Sequence, residues 1–342
     1  MRSATLTPTV SRRTFLLSTA MLGAATACSS PSEPAVSSGS LTQLRMGAPV
    51  SLTSAHIYVA KGKGYLREEG LDVELVNLLG TDAQPLAASG QIHGYFGTLS
   101  AAFFNGLSRG LDVKLLGPNG GISADGRPQI QVVVRKDGPI TAVADLRGKK
   151  IALPGGSATS SAWQFDRMLS TASVRVEDIE VVEMAAADAP IALTNGQVDA
   201  ALAFYPVLAQ VLTEGRLVVL PGMDKGGELG MGNMIAVGPG LTVDNRDAGV
   251  GLLRALNRAV KDLQGNYFDD PEIVRIVSEN TSIPADVIRS CPPPGFALGL
   301  PFNPSVPQQT QTYFRRLGTL SYQTNIPTEQ LLDNQIIQAA RV

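Results

Sequence analysis

Four short segments of this chain carry side chains and backbone suited to holding a small molecule. Pro49-Val-Ser51-Leu-Thr53-Ser54 precedes an apolar helical run from Ala55, and Gly97-Thr98-Leu99-Ser100 precedes another. Gly155-Gly156-Ser157-Ala158-Thr159-Ser160-Ser161 leads into a third run, which carries Trp163, and Phe204-Tyr205-Pro206 opens a fourth. Glycine lets a backbone approach a ligand, hydroxyls donate hydrogen bonds, and free N–H groups at a helix start favour an anion. Ser, Thr and Gly are also common caps and turn residues, so one such segment alone reads as a helix start without a ligand. Their recurrence at equivalent places is what argues for a site. None of the four contains Lys or Arg, so an anion there would rest on N–H groups and hydroxyls.

Other chemistry is poorly supplied. His56 and His93 are the only histidines, which rules out a multi-His metal site and disfavours histidine as a general base. The only cysteines are Cys28 and Cys291, and the thiol in Cys291-Pro-Pro-Pro-Gly-Phe296 reads as a small buried apolar side chain. Gly106-Leu-Ser108-Arg-Gly110 fits a nucleophile-elbow pattern by letter, but it ends a helical run and no histidine follows it. There is no dinucleotide fingerprint, phosphate-binding P-loop or H-E-x-x-H pair. We expect no metal, no cofactor and no catalysis.

The elements that must position the loops alternate. Strand patterns at 44–48, 71–78, 92–96 and 112–116 are interleaved with helical patterns at 55–69, 82–89 and 99–109. The order restarts with strands at 149–153, 179–184, 198–204 and about 217–220, and helices at 158–170, 187–195 and from Pro206. Pro85-Leu-Ala-Ala-Ser-Gly90-Gln-Ile-His93 returns as Pro190-Ile-Ala-Leu-Thr-Asn-Gly196-Gln-Val-Asp199, in each case a helix ending at glycine before a strand. Two such blocks indicate two similar α/β lobes with largely parallel sheets. The last third, 242–342, is helical, with apolar spacing at 248–263, 271–279, 305–317 and 328–340. Ligands of such sheets bind beyond the carboxyl ends of the strands, where the four loops fall.

The N-terminus states a destination. Arg12-Arg13, an apolar run from Phe15 and the closing Ala25-Thr26-Ala27-Cys28 make an export signal of twin-arginine type. Thirteen residues from Phe15 to Ala27 fall short of the roughly 20 needed to span a bilayer. Residues 29–40 are Ser/Pro/Gly-rich, which suits a flexible tether. Without residues 1–27 the chain keeps 25 basic and 30 acidic side chains, a net charge of −5, which argues against nucleic acid as a partner.

The stretches AHIYVAKGKGYLREEGLDVEL (55–75), GQIHGYFGTLSAAFFNGL (90–107), LRGKKIALPGGSATSSAW (146–163) and NGQVDAALAFYPVLAQVL (195–212) stand in an informative order. Together they resemble the nitrate/sulfonate/taurine-type solute-binding proteins of ABC importers. Cys28 likewise resembles the lipid-bearing cysteine of a bacterial lipobox, with Ala25 where that pattern most often has Leu. The resemblance implies a periplasmic-binding-protein type II fold, two α/β lobes joined by two crossings near Ile130–Arg135 and Met234–Gly238. It divides the chain into a signal (1–27), a tether (28–42), lobe 1 (43–132 and 236–342) and lobe 2 (133–235). Ligand contacts carry over onto Ser51, Thr53, Ser54, Thr98, Ser100, Gly156, Ser157, Thr159 and Ser160, with Trp163, Phe204 and Tyr205 as apolar walls. Phe204-Tyr205-Pro206 stands where many relatives have Trp-Asp/Glu-Pro, so the carboxylate that would favour an amine-bearing ligand is missing there. The implied protein is an exported, lipid-anchored monomer on the outer membrane face that passes a small organic anion to permease subunits. The alternatives are a binder of a pyrimidine, thiamine precursor or other heteroaromatic, and an enzyme on the same fold.

Overall fold

The computed structural model describes residues 40–121, 129–222 and 232–341. The export signal, Cys28 and nearly all of the tether lie outside the described residues. The first block runs β1 (Thr42–Gly47), α1 (Ala55–Gly62), α2 (Tyr65–Glu68), β2 (Leu71–Val76), α3 (Gly80–Ala88), β3 (Gly94–Thr98), α4 (Ala101–Ser108) and β4 (Lys114–Pro118). The second runs β5 (Ile130–Arg135), β6 (Lys150–Pro154), α5 (Ser160–Ser170), β7 (Glu180–Met184), α6 (Ala189–Thr194), β8 (Ala200–Phe204), α7 (Val207–Thr213) and β9 (Leu217–Val219). Then come β10 (Asn233–Val237) and the helices α8 (Arg246–Asp262), α9 (Pro271–Thr281), α10 (Ala285–Ser290), α11 (Ser305–Arg316), α12 (Thr328–Leu331) and α13 (Asn334–Ala339).

Two five-stranded sheets result, ordered β2-β1-β3-β10-β4 and β7-β6-β8-β5-β9. Within each, the first three strands are parallel and the fourth is antiparallel to both its neighbours. This is the two-lobed type II architecture, and lobe 1 and lobe 2 here denote the two sheets with their helices. The segments read as crossings, Ile130–Arg135 and Met234–Gly238, are themselves largely the antiparallel strands β5 and β10. Each lobe thus takes its fourth strand from chain that has just arrived from the other. The connections before them, 119–129 and 220–232, are only partly described.

Side chains alternate between two buried faces, as a period of two requires. In lobe 1, Ile235 and Val237 join a core with α1, α8 and α9, whereas Met234 and Ala236 face α3 and α4. In lobe 2, Val132, Val134, Ile151 and Leu153 share that second core with Trp163 and Phe165 of α5. Val133, Ala152, Ala201 and Ala203 face α6 and α7. Both faces are covered, so the strands read as continuous apolar runs. The second core passes through α11, whose Tyr313 and Phe314 lie between the lobes' helices. Around it, Arg316 pairs with Asp166 and Glu177, Arg167 donates to Gln309 at 2.7 Å, and Asn105 of α4 donates to the Thr319 carbonyl at 2.8 Å.

The repeated sequence is a repeated structure. Gly90 and Gly196 both end their helices with positive φ, +76° and +74°. Gln91 N donates to Leu86 O and Gln197 N to Ala192 O, the matching bond of a glycine helix stop. Three residues after each glycine, a side chain takes a backbone N–H of the adjoining strand. His93 Nδ1 accepts from Arg45 N at 3.0 Å, and Asp199 Oδ2 accepts from Lys150 N at 2.9 Å.

Two helical runs read as continuous are broken. The 55–69 run divides at Lys63-Gly64, where Gly64 takes φ +81°. The 328–340 run divides at Asp333, whose N–H reaches Leu115 O and whose carboxylate caps Asn334–Ala339.

Candidate functional site

All four loops lie around the two connections between lobes. Thr53 packs on Gly120, where a Cβ on the glycine would lie 3.0 Å from the Thr53 carbonyl oxygen. Leu99 N donates to Gly232 O at 2.7 Å, and Ala101 N at the start of α4 donates to Ala158 O at 3.1 Å, so the second and third loops touch across the lobes. Ser160 lies against Gly232, its Cβ 2.9 Å from where a glycine Cβ would stand. Tyr205 N donates to Gln129 O at 3.4 Å, and Gln129 Nε2 reaches Pro292 O at 3.1 Å.

The hydroxyls divide into two groups. Ser51 Oγ accepts from Thr53 N and lies 2.9 Å from Thr53 Oγ1, Ser100 Oγ accepts from Phe103 N, and Thr159 Oγ1 accepts from Ala162 N while donating to Gly156 O. Ser51, Ser100 and Thr159 hold their own helix starts, the ordinary work of caps, and Thr53 Oγ1 is taken up by Ser51. Thr98, Ser157 and Ser160 hydroxyls have no partner among the described residues, while the Ser157 carbonyl accepts from Tyr313 Oη at 2.9 Å. Ser54 Oγ is buried without a hydrogen-bond partner among the described residues. Phe204 and Tyr205 are half-buried at the end of β8. Trp163 is only 3% exposed, set in the second core with the Arg167 guanidinium 5.5 Å from its ring centre, so it underlies the third loop instead of lining its surface.

Beside the connections a cavity of about 230 Å³ opens against Leu99, Gly120, Gly232, Phe296, Phe302 and Val306. Its walls are mainly apolar and it touches the neighbours of three loops. Phe296 also covers His56, whose ring lies 4.9 Å from it and 5.3 Å, edge-on, from Phe96. Burial drives the His56 pKa down to about 3, so the imidazole is neutral. The buried Cys291 thiol donates to Val287 O and is pushed up to about 11, which keeps it protonated.

One charged side chain at the site escaped the sequence reading. β7 runs parallel to β6 with Leu153 opposite Glu183, so Glu183 lies one residue before the end of β7, beside the third loop. A Cβ on Gly156 would lie 2.9 Å from Glu183 Oε2. The signal was an acid at the carboxyl end of a parallel strand, but it needs the β6–β7 register to be read.

Fold and loop placement together define a two-lobed periplasmic-binding-protein type II architecture. The chain belongs to the NMT1/THI5-like family, whose sequence profile matches residues 52–266. It is 23% identical over 316 residues to a putative aliphatic sulfonates-binding protein of Bacillus subtilis (strain 168), covering 88% of each chain. It is 34% identical over 95 residues to a putative aliphatic sulfonates-binding protein of Escherichia coli (strain K12), a match spanning 28% of this chain and 29% of that one. The crystal structure of the periplasmic aliphatic sulphonate binding protein SsuA from Escherichia coli superposes with a TM-score of 0.68 at 22% identity, covering 85% of this chain and 91% of that one. A desulfurization enzyme, DSZB, has the same fold at a TM-score of 0.58 and 17% identity, covering 87% and 98%. In family and fold the chain therefore groups with substrate-binding proteins of the nitrate/sulfonate/taurine type.

Proposed function

We propose that this protein is an exported, Cys28-anchored substrate-binding lipoprotein of an ABC importer, taking a small organic anion between its lobes. The observation that carries the reading is the apolar cavity of about 230 Å³ beside loops whose Thr98, Ser157 and Ser160 hydroxyls have no partner among the described residues. An anionic head would take those hydroxyls and nearby N–H groups, and an apolar body would fill the cavity. The volume lies below the roughly 300–1,000 Å³ of pockets for drug-sized ligands, which suits a small solute. The two lobes, with β5 from Ile130 in lobe 2 and β10 from Asn233 in lobe 1, would close over the ligand and dock on permease subunits. Relatives described as sulfonates-binding favour a sulfonate. Binding without turnover agrees with the neutral, buried His56 and the protonated, buried Cys291.

Calorimetric titration with alkanesulfonates, aromatic carboxylates, nitrate and pyrimidines tests this. Ser157→Ala should weaken binding of the preferred anion by about 1 kcal/mol with an unchanged melting temperature. Thr159→Ala should instead lower stability, because that hydroxyl caps α5. Glu183→Gln gives the sign of the ligand's charge. Removing this carboxylate should tighten binding of an anion, and weakened binding would overturn the anion reading in favour of a ligand with N–H donors, such as an aminopyrimidine.

A further inference from the structure

One flank of lobe 1 carries a groove of about 840 Å³ lined by Arg254, Arg258, Lys261 and Arg341 with one acid, Glu69, and it reaches Leu298 and Gly299, whose neighbours Ala297 and Leu300 line the ligand cavity. Arg254, Arg258 and Lys261 follow one another along α8 at helical spacing. Arg258 is held by Glu68 at 2.6 Å and stacks 4.2 Å over the Tyr65 ring, and Arg254 donates to Ala339 O at 3.0 Å. Lys261 and Arg341 are exposed and have no partner among the described residues. Leu298, 62% exposed, stands at the rim. In a chain of net negative charge this is a local concentration of cations with an apolar edge.

The chain enters the fold at the same place. Thr42 N, at the start of β1, donates to Gly70 O at 2.9 Å, and Gly70 follows the groove residue Glu69. Gly251 of α8 packs on Glu69, a Cβ there lying 3.3 Å from the Glu69 Cβ. Thirteen residues separate Cys28 from Thr42 in the sequence.

We propose that this groove rests on anionic phospholipid headgroups, holding the protein by the flank of lobe 1 at which its chain enters the fold. The proposal rests on the export and anchoring reading of Cys28, because the tether brings this face to the lipid. Cations near an anionic leaflet bind through its surface potential, each contributing about fivefold, and the apolar rim residue meets the interface.

The test uses full-length Cys28→Ala chain, which cannot be acylated, mixed with phosphatidylcholine vesicles with or without about 30% phosphatidylglycerol, a strongly anionic surface. Residues 1–27, with Arg2, Arg12 and Arg13, also favour anionic lipid but are common to the parent and its variants, so the decisive reading is the difference between parent and double variant. The chain should sediment preferentially with the anionic vesicles at low salt. Lys261→Gln with Arg341→Gln should cut that preference about 25-fold, with the melting temperature unchanged. Equal binding to both vesicles, or a preference untouched by the double substitution, overturns the proposal. Competition by millimolar inorganic phosphate would assign the groove to a free anion and likewise overturn it. The anchor is read separately: wild-type chain that fractionates as soluble in its host would sink the Cys28 reading without touching the vesicle result.

Discussion

The two lobes share a strand order and a helix stop, but they are closed by different means. Lobe 1 has α8 and α9 across one face, with large buried side chains that include Phe96, Phe268 and Leu256. The corresponding face of lobe 2 has only the short helices α6 and α7 over Ala152, Ala201, Ala203 and Val133. Small residues let those helices approach the sheet closely, so the second lobe is thin where the first is deep. A deep core can bury a polar ring, and both histidines of the chain are in lobe 1. The shared topology therefore conceals a difference in how each lobe responds to acid.

The largest expected effect follows from His56. Its folded pKa is about 3 against an ordinary 6.5, because burial between Phe96 and Phe296 disfavours the imidazolium. Between those values the unfolded chain binds a proton that the folded chain refuses. Stability contributed by neutral His56 is therefore full above pH 6.5 and is lost as pH falls toward 3. The slope approaches about 1.4 kcal/mol per pH unit, giving about 3 kcal/mol at pH 4. Urea unfolding at pH 7 and pH 4 should show this loss on top of that from carboxylates. His56→Leu should reduce the difference by about that amount, and an unchanged difference would place the acid sensitivity elsewhere.

A second test compares the equivalent acceptors. His93 and Asp199 hold the same backbone position in their lobes, one as a neutral ring and one as a carboxylate. Bonds to charged groups contribute about 1.5–3 kcal/mol and neutral ones about 0.5–1.5. Asp199→Ala should thus cost about 2 kcal/mol and His93→Ala about 1 kcal/mol in urea unfolding at pH 7. Burial also lowers the His93 pKa, so its contribution too is lost as pH falls below its ordinary value. Equal losses at pH 7 would mean that the shared position matters and the acceptor's charge does not.

Much of this was legible in the chain because it is local. Helix stops at Gly90 and Gly196 and the alternation of strands and helices are written in neighbouring residues. What escaped depends on partners distant in sequence. Ile130–Arg135 and Met234–Gly238 read as passages between lobes, yet they pair as central antiparallel strands with segments about 70 to 140 residues away. The spacing that puts Trp163 on a helix does not say which face it takes, and the core took it. Glu183 became visible only through the register of β7 on β6. Sequence also could not separate capping hydroxyls from free ones, since Thr159 and Ser157 differ only in which N–H groups stand within reach.

The smallest effect separates the glycines behind the first and third loops. Gly120 and Gly156 both take positive φ, +67° and +70°, so alanine at either costs about 1–2 kcal/mol in backbone strain. Their surroundings differ. A methyl on Gly120 meets the Thr53 carbonyl oxygen at 3.0 Å and the Thr53 Cβ at 3.2 Å, which are fixed by the loop before α1. A methyl on Gly156 meets Glu183 Oε2 at 2.9 Å, the far end of an exposed, flexible side chain that can swing away. Gly156→Ala should therefore cost only the backbone strain, while Gly120→Ala adds a contact that the loop cannot relieve. Melting temperatures of the two variants, and of Gly156→Ala combined with Glu183→Ala, measure this. The double variant should melt within a degree or two of Gly156→Ala plus the small effect of Glu183→Ala alone, as expected for sites that barely couple. A strong rescue by Glu183→Ala would show that the carboxylate is held rigidly against the third loop, and lobe 2 would then be as tightly built there as lobe 1.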